Sequence, residues 1–326
     1  MRKKGLAVLA IAGSLAFGVV ACGDDDDGGS SNSEANASEG GGDVSGSIAI
    51  DGSSTVAPFA EAAAELFNEE YPDVKITVGT SGTGGGFEKF CAGETDISTA
   101  SRPIDEEEEV PLCDKGSVKY TEIVVANDGI AVATNKDLTV DCMTTEQLKE
   151  LWNKGSKVTA LNQIDPSFPD TELSLYGPGT DSGTFDFFTD VINGEEGVSR
   201  EDYEASEDDN QLVTGVSGDE GGFGYFGFSY YEAAADSLNL VGVDSGDGNC
   251  VKPSVETIQD GSYKPLSRPL FMYPKADAVT RPEVKAFLDY TVENASAIAE
   301  AAKIVPLTEE QVGTAKEELA TAESGS

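Results

Sequence analysis

The strongest constraint on the fold is an alternation. From Ser47 onward, short apolar runs of strand length trade places with segments that carry one helical face, and Gly, Ser and Thr crowd the joints between them. Ser47-Ile48-Ala49-Ile50 reads as a strand. Residues 56–71 follow with Phe59, Ala63, Leu66, Phe67 and Tyr71 at helical spacing. Ser54 or Thr55 can cap that helix, Pro58 suits its first turn and Pro72 stops it. Residues 74–78 predict a second strand, 86–91 the start of a short helix, 96–99 a third strand and 122–125 the start of a fourth. Strand, helix and strand in succession require a largely parallel sheet with helices on its faces.

Residues 121–135 hold two apolar runs, Ile123-Val124-Val125-Ala126 and Ile130-Ala131-Val132-Ala133, broken by Asn127-Asp128-Gly129. An extended segment broken in this way suits a crossing between two lobes. Beyond it, 144–152 predict a capped helix with Leu148, Leu151 and Trp152 inward, and 184–192 a helix with Phe185, Phe188, Val191 and Ile192 on one side. Strands are expected at 173–176, 223–228 and 240–243, a return crossing at 269–273, and closing helices at 281–302 and 309–320. The expected organisation is α/β: lobe 1 from 46–127 plus 265–326, lobe 2 from 128–264, each a mixed or parallel sheet flanked by helices. Ligands of open α/β sheets sit beyond the carboxyl ends of the strands, here in a cleft between the lobes.

Charge and composition exclude several functions. There are 60 Asp and Glu against 21 Lys and Arg, a formal net charge of −39, and no histidine. Nucleic acid and anionic membrane surfaces both need a basic face. Without histidine there is no Ser-His-Asp or Cys-His triad and no HExxH zinc site. The runs Glu106 to Glu109 and Glu207-Asp208-Asp209 read as solvated loops, and neither a metal nor another cofactor is expected.

Residues 1–21 have the layout of a secretory signal: Arg2, Lys3 and Lys4, then an apolar run too short for a comfortable membrane span. Val19-Val20-Ala21-Cys22 resembles a bacterial lipobox, a pattern in which Cys22 would carry the lipid. Residues 22–45, with Asp24 to Asp27 and little that is apolar, are expected to be a disordered acidic tether. The remaining cysteines, Cys91, Cys113, Cys142 and Cys250, are even in number in an exported chain, which suggests two disulfides. Three pairings are open; Cys91–Cys113 as the short loop and Cys142–Cys250 as the long one are favoured.

Four polar segments fall at the predicted strand ends: Asp51-Gly52-Ser53-Ser54-Thr55-Val56, Gly79-Thr80-Ser81-Gly82-Thr83-Gly84-Gly85-Gly86, residues 96–103, and Gly179-Thr180-Asp181-Ser182-Gly183-Thr184. Three of them are hydroxyl-rich turns that open a helix, where free N–H groups and the helix dipole favour an anion. No GxxxxGK[ST] and no GxGxxG is present, so nucleotide and dinucleotide sites are unsupported.

With Gly224-Tyr225-Phe226-Gly227-Phe228 and Pro265-Leu266-Ser267-Arg268-Pro269-Leu270-Phe271, these segments resemble, in family order over about residues 47–310, the phosphate-binding proteins of phosphate-specific ABC transporters. The resemblance implies a two-lobe, type II binding-protein fold, inorganic phosphate as ligand, a membrane permease as partner and no catalysis. It also implies a monomer held by lipid at the outer face of the cell membrane. Carried over residue by residue, the donors fall on Ser54, Thr55 and the N–H of Val56, on Ser81 and Gly82, and on Ser182, Gly183 and Thr184. The acceptor carboxylate falls on Asp96. Residues 176–181 lack the arginine some members carry there, so Arg102 is assigned the positive role, with Arg268 second. The rival readings are another oxyanion, sulfate or molybdate, and a secreted phosphatase.

Overall fold

The structure, a computed structural model, describes residues 44–324. The predicted signal segment, Cys22 and the tether as far as residue 43 lie outside the described residues.

Eleven strands appear among those residues: β1 (Gly46–Gly52), β2 (Val74–Gly79), β3 (Ile97–Ala100), β4 (Ile123–Asn135), β5 (Cys142–Thr144), β6 (Ser174–Pro178), β7 (Glu204–Ser206), β8 (Gly222–Gly227), β9 (Leu238–Asp244), β10 (Cys250–Val251) and β11 (Ser267–Pro274). The α-helices are α1 (Ala57–Glu70), α2 (Gly82–Cys91), α3 (Glu109–Gly116), α4 (Thr145–Trp152), α5 (Gly183–Phe188), α6 (Asp209–Gly218), α7 (Phe228–Ala234), α8 (Val255–Gln259), α9 (Pro282–Glu293), α10 (Ala295–Ala301) and α11 (Glu309–Ser324).

In lobe 1 the strand order is β2-β1-β3-β11-β4. β1 pairs parallel with β2 and β3, so the loops leaving all three strands open on one edge. β11 runs antiparallel between β3 and β4. In lobe 2, β8 is parallel to β6, which is parallel to β7, while β4 is antiparallel to β8 and β9. Both lobes therefore share β4: residues 123–129 pair with β11 and residues 130–135 pair with β8 and β9.

The polar break at Asn127-Asp128-Gly129 does not interrupt β4. Asn127 exchanges backbone hydrogen bonds with Val305 (2.9 and 3.1 Å), and its amide donates to Pro306 O (3.1 Å). A polar residue can sit inside the strand because a neighbouring segment satisfies it. At this point the two chain crossings lie side by side, with Arg268 of β11 opposite Asp128 of β4.

The apolar residues separate into cores on either side of that crossing. Phe59, Phe67 and Phe287 centre one in lobe 1. In lobe 2 Trp152 packs edge-on to Tyr225, whose ring stacks on Phe188 at 3.8 Å. Each buried large side chain contributes roughly 1.5–3 kcal/mol by transfer from water.

Four local expectations need correction. The helix expected at 281–302 breaks at Asn294, whose amide turns back to Tyr290 O (2.9 Å). The helix expected at 184–192 is α only to Phe188. It then widens into a π turn at Thr189–Asn193, where the Thr189 hydroxyl bonds Phe185 O and Asp186 O. Glu109 is not a solvated loop residue: it is buried and opens α3, whereas Glu106 to Glu108 are exposed. Likewise Asp209 opens α6 half-buried, with its carboxyl pushed up to about 6, first by burial.

Both favoured disulfides are formed. Cys91–Cys113 joins the end of α2 to α3, and Cys142–Cys250 joins β5 to β10 across β9. Their sequence separations are 22 and 108 residues. In the chain-entropy model the longer loop gains more, with typical values of about 2–4 kcal/mol per bridge. Urea titration should therefore show Cys142→Ser/Cys250→Ser losing more stability than Cys91→Ser/Cys113→Ser. The reverse order would place the stabilisation in the native contacts of the short bridge instead.

Candidate functional site

The turns leaving β1, β2 and β3 face the first turns of lobe 2 across a cavity of about 560 Å³. Its wall on lobe 1 includes Ser53, Ser54 and Thr55, Ser81 to Gly85, and Ser101 to Pro103; on lobe 2 it includes Asp186, Phe187, Asp190 and Glu196. Arg268 and Pro269 of the return crossing complete it.

The first turn is short because β1 runs straight into α1. Val56 N donates to Ser53 O (3.2 Å) and is fully buried. The N–H of Val56 is thus used inside the turn, and the expectation that it faces the ligand is corrected. Ser54 and Thr55 do face the cavity.

The second turn is held by an acid that sequence reading left unassigned. Asp51, at the end of β1, accepts the N–H of Ser81 (3.2 Å), the hydroxyl of Ser81, and Lys89 Nζ (2.7 Å). Burial pushes its carboxyl up, but the Lys89 and Ser81 bonds outweigh that and hold it below the usual carboxylate range. Ser81 is therefore a positioned N-cap residue whose hydroxyl is turned to Asp51. Gly82 to Gly85, the first turn of α2, form the adjoining wall. Gly86 lets α2 approach: a Cβ there would lie 2.5 Å from Gly52 Cα. Thr83 Oγ1 accepts Ser101 N (3.2 Å) and bonds the Ser101 hydroxyl (3.1 Å), tying α2 to the end of β3.

Asp96 is not in the cleft, which corrects its assignment as acceptor. It precedes β3 at the strand's opposite end, where it accepts Ala49 N (2.9 Å) and pairs with Arg281 (2.8 Å). A parallel strand presents its carboxyl end to the ligand, and Asp96 stands at the amino end. Arg102, at the correct end, lines the cavity, but its fork is bound by Glu109 through two 2.8 Å bonds. That hydrogen bonding raises the guanidinium's pKa.

Arg268 holds the inner position that Arg102 was expected to occupy. It donates to Thr55 Oγ1 of lobe 1 (2.8 Å) and Gly183 O of lobe 2 (3.4 Å), and pairs with Asp128 (3.3 Å). Its guanidinium lies 3.7 Å from the Phe187 ring centroid, a cation–π contact. Burial pulls its pKa down and Asp128 opposes the shift; an arginine stays charged regardless.

Ser182 caps α5 by accepting Thr184 N (3.2 Å). The turn Ser182-Gly183-Thr184 does not line the cavity wall; it meets lobe 1 directly. A Cβ on Gly183 would lie 2.6 Å from Thr55 N and 2.3 Å from Thr55 Oγ1, so only glycine admits this approach. The lobe 2 wall is carboxylate instead. Asp186 accepts the Ser54 hydroxyl across the cleft (3.4 Å), and burial, then Glu196, push its carboxyl upward. Its position in the first turn after Ser182-Gly183-Thr184 was the available sequence signal.

Two α/β lobes joined by paired crossings, with neutral donors and a guanidinium where they meet, define a hinged solute-binding protein. The sequence matches the PBP superfamily domain over residues 37–295. It is 47% identical over 277 residues to the protein SphX of Synechocystis (84% of this chain, 82% of that one). It is 40% identical over 293 residues to the phosphate-binding protein PstS of Staphylococcus saprophyticus (89% of each). A solved structure of a possible phosphate-binding protein from Planctomyces limnophilus superposes with TM-score 0.81 at 43% identity, covering 86% of this chain and 99% of that one. A candidate phosphate ABC transporter substrate-binding protein from Clostridium perfringens, with bound phosphate, gives 0.57 at 28%, covering 81% and 100%. The chain belongs to the PBP superfamily, within the family of the PstS phosphate-binding proteins.

Gly183→Ala should keep the fold and hinder closure, because the clash is with backbone across the cleft. Small-angle scattering should show a larger radius of gyration than wild type; an unchanged radius would mean the lobes do not meet through Gly183. Asp51 supplies a pH test. A carboxyl depressed in the fold adds stability above its unfolded pKa, and that stability is lost as pH falls through the folded value. Urea midpoints between about pH 5 and about pH 3 should fall less steeply for Asp51→Asn than for wild type.

Proposed function

We propose that the protein is an extracytoplasmic receptor for inorganic phosphate that closes over the anion and delivers it to an ABC permease. Arg268 is the observation that carries this reading: one half-buried guanidinium touches turns of both lobes and the hinge strand at once. An anion bound there would be held by Arg268, by the hydroxyls of Ser54 and Thr55, and by the first turn of α2 at Gly82. Arg102 would add positive potential at the outer wall. Ser81 would act by fixing that turn, and Ser182, Gly183 and Thr184 by meeting Thr55 on closure. The family is one of substrate-binding proteins, not enzymes. The proposed cycle needs no group transfer. Export, a lipid on Cys22 and a monomeric body complete the proposal.

Asp186 takes the acceptor role. A carboxylate accepts hydrogen bonds only. Phosphate near neutral pH keeps at least one O–H to donate, while sulfate would bring a lone pair against it. A buried mispaired polar group costs roughly 1–3 kcal/mol, about tenfold to over a hundredfold in affinity. That disfavours the sulfate and molybdate reading.

Calorimetric titration with phosphate and sulfate should find phosphate bound far more tightly. Arg268→Ala should weaken phosphate by about a hundredfold or more, since hydrogen bonds to a charged group are each worth about 1.5–3 kcal/mol. Asp186→Asn should narrow the gap between the two anions. Equal affinity of wild type for both would favour the broader oxyanion reading, and a full phosphate preference in Asp186→Asn would remove Asp186 from the site.

A further inference from the structure

Residues 303–308 join α10 to α11, and both helices pack into the lobe 1 core. The stretch between them does not stay in lobe 1. Successive side chains of an extended segment point opposite ways: Ile304 packs against the lobe 1 core, whereas Val305 is buried in the lobe 2 core. Val305 also pairs with Asn127 along β4. The hinge strands thus gain a short third partner, a tongue of lobe 1 set into lobe 2. Pro306 O is where this tongue is fastened. It accepts the Asn127 amide of β4 (3.1 Å) and the Gln259 amide of α8 (2.9 Å). α8 moves with lobe 2, since Ile258 lies in that core. On the other side Asn127 exchanges side-chain amide bonds with Gln311 of α11 (3.2 and 3.1 Å). One carbonyl oxygen therefore joins the hinge strand to lobe 2, and lobe 1 is one amide pair away. Asn127, Gln259, Pro306 and Gln311 all lie outside the wall of the ligand cavity.

A rotation of the lobes must strain this fastening. The ligand-facing turns leave β1, β2 and β3, while the tongue lies against β4, at the other end of the lobe 1 strand order. A rotation that parts the lobes at the cleft brings α8 toward α11 on the far side, where a space of about 460 Å³ lies between them. Here the lobes meet through Arg268 and at Gly183, and the bonds of the tongue are made. We propose that the tongue is a latch for the closed arrangement, and that Gln259 is the positioning residue that fastens it to lobe 2. A ligand held between two lobes binds the closed state, so apparent affinity scales with the fraction already closed before the ligand arrives. The latch then tunes affinity from behind the hinge without touching the anion. This goes beyond the phosphate reading and needs only that the lobes hinge.

Gln259→Leu keeps the bulk of the side chain and removes the donor; Gln259→Lys returns a donor. One neutral hydrogen bond is worth about twofold to tenfold in an equilibrium, so the open-to-closed ratio of the unliganded protein should rise by about that factor in Gln259→Leu. Small-angle scattering without ligand should give Gln259→Leu a larger radius of gyration than wild type, with Gln259→Lys close to wild type. At saturating inorganic phosphate all three radii should coincide. Calorimetric affinity for phosphate should fall in Gln259→Leu by up to the same factor and recover in Gln259→Lys. A radius and an affinity both unchanged in Gln259→Leu overturn the latch. A smaller radius or tighter binding overturns it too, because the tongue would then hold the lobes apart. The scattering comparison uses no phosphate, so it decides the latch even if wild type gives no binding heat, a result that overturns the phosphate reading alone.

Discussion

The structure turns on the place where the chain crosses twice between lobes. β4 and β11 run antiparallel there, and Arg268 faces Asp128 across the register. Because both strands continue into packed sheets, the guanidinium is held at the pivot while its donors reach outward to Thr55 and Gly183. A charge at this point touches both lobes with almost no lever arm. The lobe 1 turns can be preorganised independently, since the Asp51–Ser81–Lys89 group fixes the start of α2 without any contribution from lobe 2.

A protein with a net charge of −39 can serve an anion because binding is decided within a few ångströms. The Debye length is about 8 Å at physiological ionic strength, so distant surface carboxylates are largely screened. What remains are fixed dipoles at the starts of α1 and α2, neutral hydroxyls, and two arginines each matched to its own carboxylate. In the proposed reading the neutral donors attract any oxyanion, and the Asp186 carboxylate favours one that brings a proton.

Much of the fold was legible because it is local. Periodicity set most of the strands and helices, and hydroxyl-rich turns after strands marked the ligand-facing edge. The misses share a cause. Asn294 and Thr189 alter their helices through side-chain bonds to backbone that periodicity does not register. Asp96 was placed in the site by the family resemblance, but the strand it precedes carries the chain away from it, so Arg102 reaches the cleft and Asp96 meets Arg281 at the far end.

The sequence by itself determined an α/β chain with two crossings, its donor turns, its family resemblance and the favoured cysteine pairs. Each of these follows from residue type, short spacing or motif order. Only the tertiary structure decided which charged groups meet. Arg268 lies 213 residues from Thr55, and Asp186 lies 132 from Ser54. Contacts across such separations depend on how two sheets share β4 and how closely Gly183 approaches Thr55. Arg102 and Arg268 look alike in a linear reading; burial at the pivot and the carboxylate each one faces are what set them apart.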